Sequence, residues 1–170
     1  MNEKLNEAMN KLETSYQELV EIANQTVKPI TEKADKLIKF LEDNVENITT
    51  DQLRNKMLEV QLAAASIAGV REKSAMKAQL AEALQKEKYA TSFGKAEGTA
   101  AAKSNIAALE AQPEEIVEIF YNLITNLIKA KVDQLHRLAN IMQSVLMSRM
   151  QESKYLNIGI ADKSSQDSPF

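Results

Sequence analysis

The fold class follows from one segment near the N-terminus, which reads LNEAMNKLETSYQELVEIANQTVKPITEKADKLIKFLEDNVENI from Leu5 to Ile48. Its apolar positions recur at steps of three or four residues, the spacing that places side chains along one face of an α-helix. They are Leu5, Met9, Leu12, Tyr16, Leu19, Ala23, Val27, Ile30, Ala34, Leu37, Leu41, Val45 and Ile48. This alternation is the heptad rule of coiled coils. We therefore predict a long, coiled-coil-like helical arm over residues 1–48.

The narrow apolar seam of this arm needs another element to cover it. Two arrangements fit the spacing about equally well: packing on the core of the same chain, or a coiled coil between subunits. In the second arrangement Leu19 and Leu37 contact another subunit. Pro29 interrupts the pattern without shifting its phase, so it either kinks one helix or begins a second one.

The rest of the chain also has the composition of an all-α protein. Four Gly and three Pro in 170 residues provide few of the turns that a β or α/β fold needs, and good helix formers dominate. A helix is predicted over residues 51–90, with the N-cap offered by the segment Thr49-Thr50-Asp51. Gly94 and Gly98 predict a connection. Pro113, followed by two glutamates, predicts the start of a long final helix.

The final helix carries an apolar face too broad for a single packing contact. We therefore predict that residues 49–155 form a helical oligomerisation core. The residues expected in its subunit contacts are Phe120, Leu123, Leu127, Leu135, Leu138 and Met142. Residues 156–170 are mostly polar, with too few apolar groups to offset the entropy lost on ordering, which predicts a disordered C-terminal tail.

The residue inventory argues against enzymatic chemistry. The chain has no Cys, no Trp and one His, so a Cys/His zinc site and a Cys or Ser-His nucleophile lack their components. None of the glycines has the spacing of a phosphate-binding loop. We expect a non-enzymatic protein without metal or cofactor. The sequence shows neither a signal peptide nor a membrane-length apolar stretch, which predicts a cytoplasmic location, in the host if the protein is viral, and no membrane partner.

Positive charge is concentrated in the middle of the chain, although the net charge is −3. Lys73 and Lys77 are four residues apart and share a helix face, with Tyr89 and Phe93 about three turns later, so phosphate contacts beside aromatic stacking are feasible. The candidate nucleic-acid-binding residues are Arg71, Lys73, Lys77, Lys86 and Lys88. The alternative is a solvated helix face of mixed charge, which is the commoner origin of such a run.

The segment Lys73-Ser74-Ala75-Met76-Lys77-Ala78-Gln79-Leu80 resembles the lysine-, alanine- and leucine-rich helix of the UvsY-type recombination mediators of tailed phages. Met76 stands for a leucine of that pattern and Gln79 for an arginine. The order of elements over residues 53–152 is also similar: a basic helix, a glycine-containing connection and a long C-terminal helix with aromatics near its start. In this chain those aromatics are Phe120 and Tyr121.

The resemblance implies a non-enzymatic accessory protein that forms a homo-oligomer and binds single-stranded DNA. Such a protein helps to load a strand-exchange recombinase by displacing or reorganising the single-strand binding protein. The periodicity of the arm favours an alternative function. In that alternative the chain is a coiled-coil structural or adaptor protein, for example a phage assembly or host-takeover factor, that binds protein rather than nucleic acid.

Overall fold

Three long helices make up the part of the chain that the structure describes. The computed structural model describes the backbone of residues 2–44 and 47–164 and the side chains of residues 13–44 and 47–155. The helices are α1 (Asn2–Asn44), α2 (Thr50–Lys95) and α3 (Ala100–Ser164). No strand occurs in these described ranges, so the predicted all-α class is confirmed.

A threonine residue caps the N-terminus of α2 and another caps the N-terminus of α3. Thr49 Oγ1 accepts a hydrogen bond from the Gln52 amide at 3.3 Å, and Gln52 Oε1 accepts one from the Thr49 amide at 3.0 Å. This reciprocal pair is a capping box, and it puts the N-cap of α2 at Thr49, the first residue of the predicted capping segment. Thr99 Oγ1 accepts from the Ala102 amide at 3.3 Å at the start of α3. Gly98, with a φ of 110°, supplies the left-handed backbone that joins α2 to α3.

The two helix-interior prolines interrupt neither helix. Pro29 lies inside α1, so the arm is one helix. Pro113 lies inside α3, and the prediction that it begins the final helix is therefore wrong. The helix begins instead at Ala100, because Thr99 caps it there and the alanine-rich residues after it extend helical structure up to the proline.

The chain forms two compact units, each built from segments of all three helices. Unit 1 comprises Met1–Glu32 and Ser66–Lys131, and unit 2 comprises Lys33–Ala65 and Val132–Phe170. These units do not follow the predicted boundary between residues 48 and 49. The arm is divided between them because its seam is covered by helices of its own chain.

From Ala23 to Leu41 the seam of α1 is buried at every position except Ile30, which is half-buried. Ala23 and Val27 lie in the core of unit 1, and Ala34, Leu37 and Leu41 in the core of unit 2. Of the two arrangements that the spacing allowed, these residues adopt packing within the chain. The side chains of the seam residues Leu5, Met9, Leu12 and Val45 lie outside the described residues.

The two cores differ in the size of their side chains. In unit 2 the fully buried residues include Leu41, Leu53, Val60, Leu135 and Met142. Arg149 on α3 also donates a hydrogen bond of 2.5 Å to the Ile48 carbonyl in this unit. In unit 1, by contrast, α2 contributes mainly alanine and serine to the buried side. Those buried residues are Ile67, Ser74, Ala78, Ala81 and Ser92.

The last helix extends into the segment predicted as a disordered tail. α3 ends at Ser164, whereas the tail was predicted to begin at residue 156. The rest of that prediction, residues 165–170, lies outside the described residues.

Candidate interaction surfaces

Two of the five candidate phosphate-binding side chains of α2 already bind carboxylates. Lys86 Nζ donates a hydrogen bond of 2.5 Å to Glu82 Oε1, and this bond, together with the Glu82 charge, raises the pKa of Lys86. Lys88 Nζ lies 2.8 Å from Glu114 Oε1 on α3, and its hydrogen bond lowers the pKa of Glu114. Much of the positive charge at these two positions is therefore offset within the chain.

Lys77 contacts an aromatic ring on α3. Its Nζ lies 5.0 Å from the centre of the Tyr121 ring and donates a hydrogen bond of 3.4 Å to the Tyr121 hydroxyl. This is cation–π geometry. The aromatics expected near the basic residues, Tyr89 and Phe93, instead stack on each other with centroids 6.3 Å apart.

The five basic candidates do not form one continuous surface. Arg71 and Lys73 are two residues apart, so their side chains point about 160° apart around the helix axis. Arg71 is half-buried, whereas Lys73 and Lys77 are exposed and share a face. The structure thus leaves Lys73 and Lys77 as the pair best placed for a phosphate.

Further polar contacts join α2 to α3 within unit 1. The Ser92 hydroxyl donates to the Glu110 carboxylate, and the Tyr89 and Ser104 hydroxyls lie 3.0 Å apart. Glu118, also on α3, adds to the field that raises the pKa of Lys86. The acidic first half of α3 therefore offsets the basic run of α2.

Large apolar side chains lie on the outer face of α2. Met76, Leu80 and Leu84 are 68%, 60% and 48% exposed, whereas Ala78 and Ala81 between them are buried. The usual arrangement of an amphipathic helix is reversed here, since small residues pack inward and large apolar ones face water. We call Met76, Leu80 and Leu84 the α2 outer patch.

A second apolar surface runs along the first half of α3. Ile106, Leu109 and Ile116 are exposed, Leu109 by 70%. Phe120, Leu123 and Leu127 follow Ile116 at steps of four, three and four residues and are half-buried. We call these six residues the α3 stripe. It contains three of the residues that were predicted to join subunits.

The other predicted subunit contacts divide into two groups. Leu37, Leu135 and Met142 are buried inside unit 2, so their side chains are already covered by the chain itself. Leu19 and Leu138 are half-buried. The exposed residues of the α2 outer patch were missed, although the spacing of residues 76, 80 and 84 was a signal that could have found them.

No family model, curated protein or solved structure matches this chain.

Neither a metal site nor a membrane span occurs in the part of the chain that the structure describes. No group of three or more His, Cys, Asp or Glu side chains there is placed to hold an ion. No described helix combines the length and the apolar content needed to cross a bilayer.

Proposed function

We propose that the protein is a non-enzymatic helical adaptor that binds other polypeptide chains through the α2 outer patch and the α3 stripe. One observation carries the proposal. Met76, Leu80 and Leu84 face water while alanines of the same helix are buried. An arrangement that leaves the largest apolar groups outside is stabilised when a partner covers them.

The energetics favour protein as the partner of these surfaces. Covering a fully exposed leucine or methionine side chain contributes about 1.5–3 kcal/mol. Both surfaces are bordered by charged residues, among them Lys73 and Glu87 on α2 and Glu115 on α3. An apolar centre with a charged rim is the composition of protein interfaces.

The proposal is tested by comparing bound proteins across full-length variants of each surface. We expect Leu80→Glu/Leu84→Glu and Leu109→Glu/Ile116→Glu each to lose specific proteins, identified by mass spectrometry, that the wild-type chain captures. Gln79→Glu is the matched control, since Gln79 is exposed beside Leu80 but points about 100° away from it. Identical sets of captured proteins for all four chains would contradict the adaptor function.

A second candidate is the oligomeric single-stranded DNA-binding accessory protein, with a recombinase and a single-strand binding protein as partners. Lys73 is exposed, and Lys77 lies against the Tyr121 ring. Positively charged groups that could bind a phosphate therefore lie next to an aromatic ring on which a base could stack. These observations support DNA binding at one place on each chain. Several copies in an oligomer would strengthen such a weak individual contact.

The DNA-binding candidate is tested by fluorescence anisotropy with a labelled single-stranded oligonucleotide at low and moderate salt. We expect Lys73→Ala/Lys77→Ala to weaken binding and to reduce its salt dependence. Lys86→Ala/Lys88→Ala removes the same formal charge but from residues that bind Glu82 and Glu114, so it should weaken binding less. Equal losses in both pairs, or no binding at low salt, would argue against a DNA contact at Lys73 and Lys77.

A further inference from the structure

We infer that the α2 outer patch binds the same patch of a second copy of this chain, with the two α2 helices antiparallel and Leu80 at the two-fold axis. The inference rests on the proposed function, because it requires the patch to be a protein-binding surface. It adds the identity of one partner and the orientation in which that partner binds.

The patch has the geometry of a helix-to-helix contact. Residues 76, 80 and 84 follow each other at steps of four and therefore form one ridge along α2. Leu80 stands at the centre of the ridge, with Met76 and Leu84 at equal distances from it. In an antiparallel pair aligned at Leu80, Leu80 meets Leu80 of the second copy and Met76 meets Leu84 of the second copy.

The charges beside the patch select this orientation. Lys73 lies seven residues before Leu80 and Glu87 seven residues after it, so each is about 10.5 Å from Leu80 along the helix axis. Antiparallel alignment brings Lys73 next to Glu87 of the second copy, twice per pair. Parallel alignment would instead place lysine against lysine and glutamate against glutamate. Charge complementarity therefore favours a second copy in the antiparallel arrangement.

Both charged groups are available for this contact. Lys73 and Glu87 are exposed, and neither forms an ion pair within the described ranges 13–44 and 47–155. The neighbouring Lys88 differs, because it binds Glu114 of its own chain. The unused pair at positions 73 and 87 thus flanks the exposed ridge symmetrically.

The size of the patch predicts a reversible dimer. Stable interfaces bury roughly 800 Å² on each partner, more than three large side chains on one helix provide. We therefore expect an equilibrium between monomer and dimer that depends on protein concentration and is measurable by sedimentation velocity.

The first test uses sedimentation velocity of the full-length chain over a concentration series. We expect Leu80→Glu to be monomeric at concentrations where the wild type is half dimeric, and Gln79→Glu to behave as the wild type. Leu80 is exposed, so its replacement should preserve helix content, which circular dichroism checks. A wild type that stays monomeric, or a dimer that Leu80→Glu leaves intact, would overturn the inference.

The second test reverses the flanking charges. Lys73→Glu alone and Glu87→Lys alone each place like charges together twice, so each should raise the dimer Kd about tenfold or more. An equimolar mixture of the two variants restores opposite charges at both positions and should dimerise as well as the wild type. A dimer Kd that is the same for the wild type, both single variants and their mixture would contradict the charge pairing.

The third test fixes the orientation through engineered disulfides, which a chain without cysteine makes simple. Two copies of the Leu80→Cys variant should form a disulfide with each other. In a mixture of the Met76→Cys and Leu84→Cys variants, a disulfide should join the two different chains. Met76→Cys alone should not cross-link, because its two copies lie about 12 Å apart along the axis, beyond the reach of a disulfide. Efficient cross-linking of Met76→Cys alone would indicate parallel helices and overturn the arrangement.

The outcomes also separate this inference from the proposed function. If Leu80→Glu/Leu84→Glu loses a captured protein while the wild-type chain sediments as a monomer, the adaptor function stands and self-association fails. If all variants capture the same proteins and the wild type is monomeric, both are contradicted.

Discussion

Lys88 on α2 and Glu114 on α3 form an ion pair, with 2.8 Å between Lys88 Nζ and Glu114 Oε1. The two residues are 26 positions apart in the sequence. Their contact joins two helices of unit 1 and also explains why a residue from the basic run is poorly placed to bind a phosphate.

The Lys88 pair makes the stability of the chain depend on pH in a defined direction. The hydrogen bond from Lys88 lowers the pKa of Glu114 below its ordinary value of 4.5. The pKa of Glu114 is lower in the folded than in the unfolded chain. The ion pair therefore stabilises the fold fully at pH values above the ordinary pKa of Glu114, and this stabilisation is lost as the pH falls through the pKa of Glu114 in the folded chain. Glu114→Gln should therefore lower the Tm slightly at neutral pH, and this difference should vanish in acid.

The matched control for this prediction is Glu115→Gln, at an exposed neighbour of Glu114. It should leave the Tm close to that of the wild type across the same pH range. The effect of Glu114→Gln is small because the pair is open to solvent. A Tm difference that grows as the pH falls would contradict the assigned direction.

The capping box at the start of α2 should contribute measurably to stability. Thr49→Ala removes the acceptor of the Gln52 amide hydrogen bond, and losses of this kind cost about 1 kcal/mol. Urea unfolding followed by circular dichroism measures the change. Thr91→Ala, at an exposed position inside α2, is the control and should change the free energy of unfolding by less than about 0.5 kcal/mol.

Two methionines of α3 provide a matched comparison of burial. Met142 is fully buried in unit 2, whereas Met147 is 60% exposed. Met142→Ala should cost about 2–5 kcal/mol because it leaves a cavity in the core. Met147→Ala should stay within about 0.5 kcal/mol of the wild type. Similar losses at both positions, measured by urea unfolding, would contradict the assigned core.

Replacing the proline inside α3 should stabilise the chain. Pro113 has no amide hydrogen for the helical bond and its ring crowds the preceding turn, at a cost of up to about 3 kcal/mol in a helix interior. Pro113→Ala should therefore raise the Tm. A lower Tm would instead indicate that Pro113 marks a helix start, as the sequence pattern had suggested.

The sequence predicted those features that depend on residues close together along the chain. The seam through Ala23, Ala34 and Leu41 was recognisable because helix periodicity repeats within a few residues. A capping segment at residues 49–51 was also recognisable, because a cap and its partner are only about three residues apart, as Thr49 and Gln52 are. The misplaced helix start at Pro113 came from the same kind of local signal, which did not include the stronger effect of the Thr99 cap.

The candidate interaction surfaces could be predicted less well from the sequence. The basic residues lie on α2, but the ion pair of Lys88 with Glu114 of α3 was not predicted. Tyr121 was missed as the neighbour of Lys77, since 44 residues separate the two. Leu135 and Met142 were predicted at subunit contacts because a broad apolar face does not show which of its residues the chain itself covers.

By itself, the sequence determined that the chain is all-α and that a helix ends before Gly98, because helix propensity, apolar periodicity and capping act over a few residues. Only the tertiary structure decided which apolar faces are covered and that Lys88 pairs with Glu114 of α3. Those outcomes depend on which helices become neighbours, and packing of α2 through Ala78 and Ala81 leaves Met76, Leu80 and Leu84 facing solvent. The surfaces proposed to bind partners are therefore products of packing.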